Sequence, residues 1–281
     1  MHLSTGSILN LYADDMLLYK AISSQSDYQS LQDDVDRVRE WVNVNYLTLN
    51  TSKCKTMVVS RRRSQHVTQL QLGNDILEQV DTFKYLGVLL SSDLTWTPHI
   101  ESICSKARKL VGLLYRQFSN NANRDVLLRM YTSIVRPHLE YAAEVWDPHL
   151  HRNIELIENV QKQALRMCTK QWDLGYQALL EQTHLQNMGN RRMHLKLCTL
   201  FKIVHGLLYF PNDLVMHHHS RYSPHTLPLL HCPYARTTAL QKSFLPSSIS
   251  VYGTIFPLML YMQTPYIDLN YSQHLCLCRS I

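Results

Sequence analysis

Two carboxylates stand side by side at Asp14 and Asp15, with Ile8, Leu9 and Leu11 before them and Met16, Leu17 and Leu18 after. Burying like charges next to each other is costly, and a divalent cation offsets that cost. Hard oxygen ligands of this kind suit Mg2+ or Mn2+. Two ions held this way activate a 3′-hydroxyl and stabilise a leaving oxygen, the chemistry of two-metal phosphoryl transfer. A solvated Asp-Asp turn in a β-hairpin contains the same dipeptide, so these residues alone leave both readings open.

Other constellations carry less. His217, His218, His219, His225, His231 and Cys232 cluster in sequence, but they form no i, i+4 pair on a predictable helix and no paired-cysteine motif. Cys276-Leu277-Cys278 has no partner pair, and the chain contains no glycine-rich phosphate loop and no G-x-S-x-G elbow.

The elements that must position the acidic pair are short. Residues 8–20 read as two buried strands joined by a tight turn at Asp14-Asp15. A helix follows, capped by Ser26 or Asp27, with Leu31, Val35, Val38, Trp41 and Val42 on one face and Asp33, Asp34, Arg37 and Glu40 on the other. Residues 54–60 read as a strand closed by Arg61-Arg62-Arg63. Residues 67–72 and 76–80 form a hairpin around Gly73-Asn74-Asp75, and residues 83–90 form a further strand. After Thr97-Pro98 the spacing turns helical, through Ile100, Ala107 and Leu114, then Leu127 and Val135, then Ile157, Val160 and Leu165. Past Phe210 the periodicity fades. The fold class is therefore α+β, with strands and a helix first and a mainly helical region after, and the helical region 98–210 is expected to be the more stable part.

At 281 residues, 45% hydrophobic and 18% charged, the chain is long enough for a real core, and it is not collagen-like, mucin-like or wholly disordered. Its net charge of +6 is uneven: residues 1–100 hold 9 basic and 11 acidic side chains, and residues 101–210 hold 15 and 9. A basic middle third suits a nucleic-acid partner. Lys106 and Lys109 lie one helical turn apart and Arg116 two turns further on, with Tyr115, Phe118 and Tyr131 interleaved among these and other cations such as Arg136, Arg191, Arg192 and Lys196. Seven scattered cysteines without C-x-x-C argue for a reducing compartment and against a disulfide scaffold. No signal peptide is visible. Residues 243–267 are uncharged but are broken by Pro246, Pro257 and Pro265, so they read as a soluble segment. The expectation is an intracellular, soluble chain with no membrane partner, with nucleus and cytoplasm both open.

Several segments match one family in order. Tyr12-Ala13-Asp14-Asp15 resembles the Y-x-D-D box of reverse transcriptases. Residues 47–57, with Lys53 and Lys55, resemble the lysine motif that follows the palm helix. Phe83-Lys84-Tyr85-Leu86-Gly87-Val88 resembles the primer-grip strand. Trp96 to Ile100 with Lys106 to Lys109 resembles the start of the thumb in non-LTR, LINE-type retrotransposon enzymes, and Tyr131 to Trp146 is similar to that family's helical region after the palm. The resemblance runs from about residue 8 to about residue 260 and places the start of the chain just before the Y-x-D-D box.

The resemblance implies RNA-directed DNA synthesis on an RNA template and a DNA primer, with Mg2+ or Mn2+ as cofactor. Asp14 and Asp15 would hold metal, and Tyr12 would sit beside the primer end or nucleotide. Lys53, with Lys55 as the alternative, would lie near the incoming triphosphate. Leu86 and Gly87 would approach the primer, where a missing Cβ allows close contact, while Phe83 and Tyr85 would pack in the core. Lys106, Lys109 and Arg116 would track the nucleic-acid backbone. The implied domains are a partial palm over 1–97, a helical thumb over 98–210, and an irregular C-terminal region over 211–281 with a disordered tail. The family's palm also uses an aspartate and a glycine segment that precede the Y-x-D-D box and would have to come from upstream sequence or another chain. On that ground the chain alone is expected not to polymerise DNA. Two alternatives are a non-catalytic nucleic-acid-binding module and a decayed retroelement reading frame.

Overall fold

A computed structural model describes residues 6–59, 69–209, 217–218, 229–230, 241–244 and 246–249. These fall into two units, one up to Thr95 and one from Trp96 onward.

In the first unit, β1 (Ile8–Tyr12) and β2 (Asp15–Tyr19) pair antiparallel, with Ile8 opposite Tyr19 and Tyr12 opposite Asp15. The expected hairpin forms, but its strands are not buried: Ile8 is 55% and Leu11 56% exposed. The helix α1 (Gln25–Val44) ties down only the open end of the hairpin. Asp34 accepts hydrogen bonds from Ser7 Oγ (2.6 Å) and Gly6 N (3.1 Å), and Lys20 Nζ donates to Ser30 Oγ (2.5 Å). Asp34 thus lies buried, not on the solvated face expected for it, because Ser7, Gly6 and Arg37 (2.9 Å) compensate its charge. The cap is also corrected. Ser24 is the N-cap, and Asp27, three residues on, accepts from Ser24 N (2.8 Å), Ser24 Oγ (2.8 Å) and Ser23 N (2.9 Å).

The remaining strands are short: β3 (Lys55–Thr56), β4 (Gln71–Leu72), β5 (Asp75–Ile76), β6 (Glu78–Gln79), β7 (Thr82–Tyr85) and β8 (Val88–Ser91). The strand expected over 54–60 shrinks to β3, which pairs parallel with β6; Ser60 lies outside the described residues. The hairpin around Gly73 forms as β4–β5, with Gly73 at φ +67° and Arg39 so close that a Cβ there would stand 2.8 Å from Nη1. Gln32 of α1 grips β4 with both amide atoms, donating to Gln71 O and accepting from Gln71 N, each at 2.9 Å. Residues 83–90 are not one strand. They fold back between β7 and β8 through Leu86 (φ 44°) and Gly87 (φ 86°), the two positive φ values of a tight hairpin turn.

The second unit is built from helices: α2 (Thr97–Phe118), α3 (Arg124–Met130), α4 (Arg136–Glu140), α5 (Ala143–Trp146), α6 (His151–Thr169), α7 (Tyr176–Thr183) and α8 (Met188–Val204). A π-helical turn over Tyr131–Val135 joins α3 to α4. Pro137 accounts for it: its ring clashes with the carbonyl four residues back, at Ser133, and it has no N–H to donate. The helical residues expected in the core are there, with Ile100, Ala107, Leu114, Leu127, Val135, Ile157, Val160 and Leu165 all buried.

Tyr131 is buried too, not part of a surface. Its hydroxyl donates to Gln161 Oε1 (2.7 Å), and Gln161 Nε2 donates to Tyr176 Oη and Gln186 O, both at 2.9 Å. Tyr176 donates to Glu158, which also accepts the first amides of α8, from Met188 (3.1 Å) and Gly189 (2.8 Å). A carboxylate at a helix N-terminus satisfies orphan N–H groups and opposes the helix dipole.

Arg192 and Lys196 are likewise buried instead of solvated. Asp147 takes both, at 2.7 Å and 2.5 Å, and Lys196 also donates to Ser247 Oγ (3.1 Å). Ser247 belongs to a short helical turn, 246–249, whose Ile249 packs on Leu200. Within 243–267 this turn is helical and partly buried; residues 250–267 lie outside the described residues.

His217–His218 pairs with Leu229–Leu230 as β9 and β10, while His219, His225, His231 and Cys232 lie outside the described residues, as does the 260–281 tail. The described cysteines Cys54, Cys104, Cys168 and Cys198 are free thiols, and burial pushes Cys104 up to about 11 and Cys168 up to about 12. Among the described residues, no helix is long and apolar enough to cross a membrane.

Candidate functional site

The acidic pair stands at the closed end of the β1–β2 hairpin. Because Tyr12 faces Asp15 across the ladder, only Ala13 and Asp14 make the loop. Ala13 takes φ 53°, a left-handed conformation that non-glycine residues seldom adopt. Tyr12, Asp14 and Asp15 are all exposed. The carboxylates are therefore hydrated rather than buried, which corrects the premise that burial makes them need a cation. Cross-strand partners lie on the same face of a sheet, so the Tyr12 ring and the Asp15 carboxylate share one side of the turn.

A second hairpin contributes to this corner. Tyr85, the last residue of β7, has its hydroxyl pKa raised above the ordinary tyrosine value, first by partial burial and then by the negative charge of Asp15. Tyr85 was expected to pack in the core, but it is half-buried and within electrostatic reach of Asp15. Alternation along Phe83-Lys84-Tyr85 gives the side chains of one strand and says nothing of which neighbour a ring reaches. Leu86 and Gly87 follow directly, at the turn.

Lys53 lies in a 3-10 turn, Thr51–Lys53, and is exposed. It forms no ion pair with Asp14 or Asp15. Lys55, by contrast, is held by Glu78 at 2.6 Å across the β3–β6 pair. The two lysines left open by the sequence thus differ, since one is committed to a structural ion pair.

Two adjacent carboxylates fit a hexacoordinate hard cation that completes its shell with water and phosphate oxygens. Among the described residues, no group of three or more His, Cys, Asp or Glu side chains converges as a metal cage.

In the second unit, Lys106, Lys109 and Arg116 are all exposed on α2. Arg116 folds back along the helix, its Nη1 3.6 Å from where a Cβ on Gly112 would stand. Lys106 lies close enough to His138 for its charge to add to burial in lowering the pKa of that imidazole. Arg191 does not belong to this surface, because Glu140 binds it through two contacts at 2.8 and 3.0 Å, and Arg136 shares the same carboxylate at 3.4 Å.

Residues 1–90 match the family described as reverse transcriptase (RNA-dependent DNA polymerase). The chain is 25% identical over 219 residues to a probable RNA-directed DNA polymerase from transposon X-element of Drosophila melanogaster, covering 77% of this chain and 22% of that protein. It is 29% identical over 172 residues to the RNA-directed DNA polymerase from mobile element jockey of Drosophila funebris, covering 58% and 18%. It is 26% identical over 169 residues to a probable RNA-directed DNA polymerase from transposon BS of Drosophila melanogaster, again covering 58% and 18%. The chain spans about a fifth of the length of these relatives. No solved structure matches. By its motifs in order and by these relatives, the chain is similar to the reverse transcriptases of non-LTR, LINE-type retrotransposons.

Proposed function

We propose that the turn Tyr12–Asp15 is the metal-holding corner of an RNA-directed DNA polymerase, and that α2 tracks the backbone of the primer–template. In this reading the first 97 residues are the part of the palm that carries the Y-A-D-D box, residues 98–210 are the thumb, and residues 211–281 are a C-terminal region. Asp14 and Asp15 hold Mg2+ or Mn2+, which when bound activates the 3′-hydroxyl and stabilises the leaving pyrophosphate. Tyr12 packs beside the primer end, sharing its face with Asp15. Lys53, free of the ion pair that occupies Lys55, meets the triphosphate. Leu86 and Gly87, next to Tyr85, approach the primer. Lys106, Lys109 and Arg116 meet phosphates.

The observation that carries the reading is the exposed acidic turn with Tyr12 on one side and Tyr85 near Asp15. The turn supplies two carboxylates, and holding two ions around a phosphoryl group takes at least one more, so the chain alone is proposed not to extend a primer.

The test is Mn2+ binding to the full chain, read by paramagnetic broadening of tyrosine ring resonances. Broadening of Tyr12 and Tyr85 that Asp14→Asn and Asp15→Asn each weaken at least tenfold supports the reading. Broadening that ignores both substitutions overturns it. Primer–template affinity should also fall steeply as salt rises. Template-dependent synthesis by the chain alone, abolished by Asp14→Asn, would keep the metal corner and overturn the proposed inactivity.

A further inference from the structure

Two aromatic rings on the helical unit are exposed where a core residue would be covered. Tyr115 on α2 is 48% exposed, and Trp172, in the loop between α6 and α7, is 53% exposed. They meet edge to face, with centroids 6.3 Å apart and planes at 84°. A left-handed Lys170 (φ 57°) ends α6 and turns the chain so that Trp172 reaches α2. An edge-to-face pair leaves a ring face open to a third flat group.

The α2 side of the pair is cationic, while Asp173, next to Trp172, is an exposed carboxylate. From residue 102 to the end of α2 there is no acidic side chain, while Lys106, Arg108, Lys109 and Arg116 are all exposed. Glu101, the acidic residue at the start of the helix, is paired with Arg152 at 3.1 Å. No carboxylate among the described residues lies within salt-bridge distance of those four cations. Tyr115 and Arg108 lie seven residues apart, on the same helical face.

We infer that Tyr115 and Trp172 form a stacking platform for an unpaired nucleobase, and that the α2 cations hold the phosphates of the same single strand. The inference rests on the proposed nucleic-acid role of α2 and adds to it: phosphate contacts position a strand, whereas an aromatic face requires a base. A double helix offers its bases stacked, so the occupant is a single-stranded segment of RNA or DNA beside the duplex. The rings and the cations match that ligand in both of its parts, the flat base and the anionic backbone.

The test uses the full chain and three labelled twelve-nucleotide strands of equal charge: oligo-uridine, oligo-deoxythymidine and an abasic strand. The expected result is tighter binding of the two base-bearing strands. Trp172→Ala and Tyr115→Ala should each reduce that preference about fivefold or more and leave the abasic affinity unchanged. Trp172→Phe, which keeps a ring, should retain most of the preference. Lys106→Ala with Lys109→Ala should weaken all three strands alike. A preference for uridine over deoxythymidine would assign the strand to RNA, and the reverse would assign it to DNA; either supports the platform.

If the pair only pins the loop to α2, Trp172→Ala lowers the melting temperature and weakens base-bearing and abasic strands equally, which overturns the inference. Equal affinity of the unmodified chain for all three strands overturns the platform alone. No binding to any strand overturns the nucleic-acid reading of α2 as well.

Discussion

Of the apolar side chains buried among the described residues, five belong to the unit that ends at Thr95 and twenty-one to the unit that begins at Trp96. The first unit is a set of two-stranded ladders around one helix, and only Val38, Val42, Leu70, Leu72 and Val88 are withdrawn from water. The second has Trp146, Tyr131, Ile157 and Met188 fully enclosed, with a hydrogen-bonded network threading the core. Two-stranded sheets are marginal by themselves, because each strand keeps an open edge. The acidic turn therefore stands on the thinly supported unit, at the hairpin end farther from the Asp34 anchor. The helical unit supplies its own stability and presents four exposed cations, Lys106, Arg108, Lys109 and Arg116, on α2. The proposed chemistry and the bulk of the core fall in different units, and substitutions can separate them.

The largest expected effect is on the helical unit. Asp147 takes both Arg192 and Lys196, which are almost fully buried. Removing one partner of a buried ion pair strands the others, at a cost of about 3–5 kcal/mol. Asp147→Ala should lower the thermal transition reported by fluorescence of enclosed Trp146 by many degrees. Amide exchange in α1 should stay as it is. Equal acceleration of exchange in α1 would break the comparison by showing that the two units unfold together.

The next effect lies in the first unit and depends on pH. Burial pushes the Asp34 carboxyl up, but bonds from Ser7 and Gly6 and the nearby charge of Arg37 outweigh it, so its pKa ends below the ordinary 3.8. A carboxylate whose folded pKa is depressed contributes stability that is full above its unfolded value and is lost as pH falls through the folded value. The first unit should therefore lose stability below about pH 4, by about 1–3 kcal/mol for a charged hydrogen-bonded group. Asp34→Asn should start less stable at neutral pH and flatten this acid limb, as followed by amide exchange of α1 between pH 6 and pH 3. An acid limb that survives the substitution unchanged would assign the loss to other carboxylates.

Asp34 also shows where a sequence is legible and where it is not. Hairpin β1–β2, helix α1 and the helices from Thr97 on follow from local apolar spacing, which is a property of neighbouring residues. Asp34 falls on the polar side of that spacing. Its burial depends on Ser7, twenty-seven residues away, so no local pattern contains it. Arg192 and Lys196 were misread as surface cations for the same reason, since their counter-charge Asp147 is on another helix. The β7–β8 hairpin was read as one strand because its turn is Leu-Gly, not the Asn-Gly that marks such turns. Of the acidic corner, the identities of Tyr12, Asp14 and Asp15 were legible, but the approach of Tyr85 to Asp15 was not, since it joins two hairpins through space.

A smaller effect tests how far tight turns hold the thin unit together. Gly73 combines a positive φ with the close guanidinium of Arg39. Gly73→Ala should cost about 1–2 kcal/mol, mostly as left-handed backbone strain, because the Arg39 side chain can move aside. Amide exchange of Leu72 and Ile76 should rise, while the helical unit keeps its melting temperature. A simultaneous fall in the stability of the helical unit would blur the division.

The smallest change sharpens the comparison most. Leu86 sits at φ 44° before Gly87 at φ 86°, the two left-handed positions of the β7–β8 turn. Asn tolerates that conformation better than Leu, so Leu86→Asn should stabilise the hairpin by about 0.5–1 kcal/mol. If Leu86 were there only to close the turn, the substitution would bring stability and cost nothing. If it is kept, despite its strain, to lie against the primer, the more stable variant should bind primer–template more weakly. Slower amide exchange at Tyr85 and Val88 together with an affinity loss of about threefold or more is the expected outcome. Slower exchange with unchanged affinity would remove Leu86 from the proposed primer contact and leave the turn to structure alone.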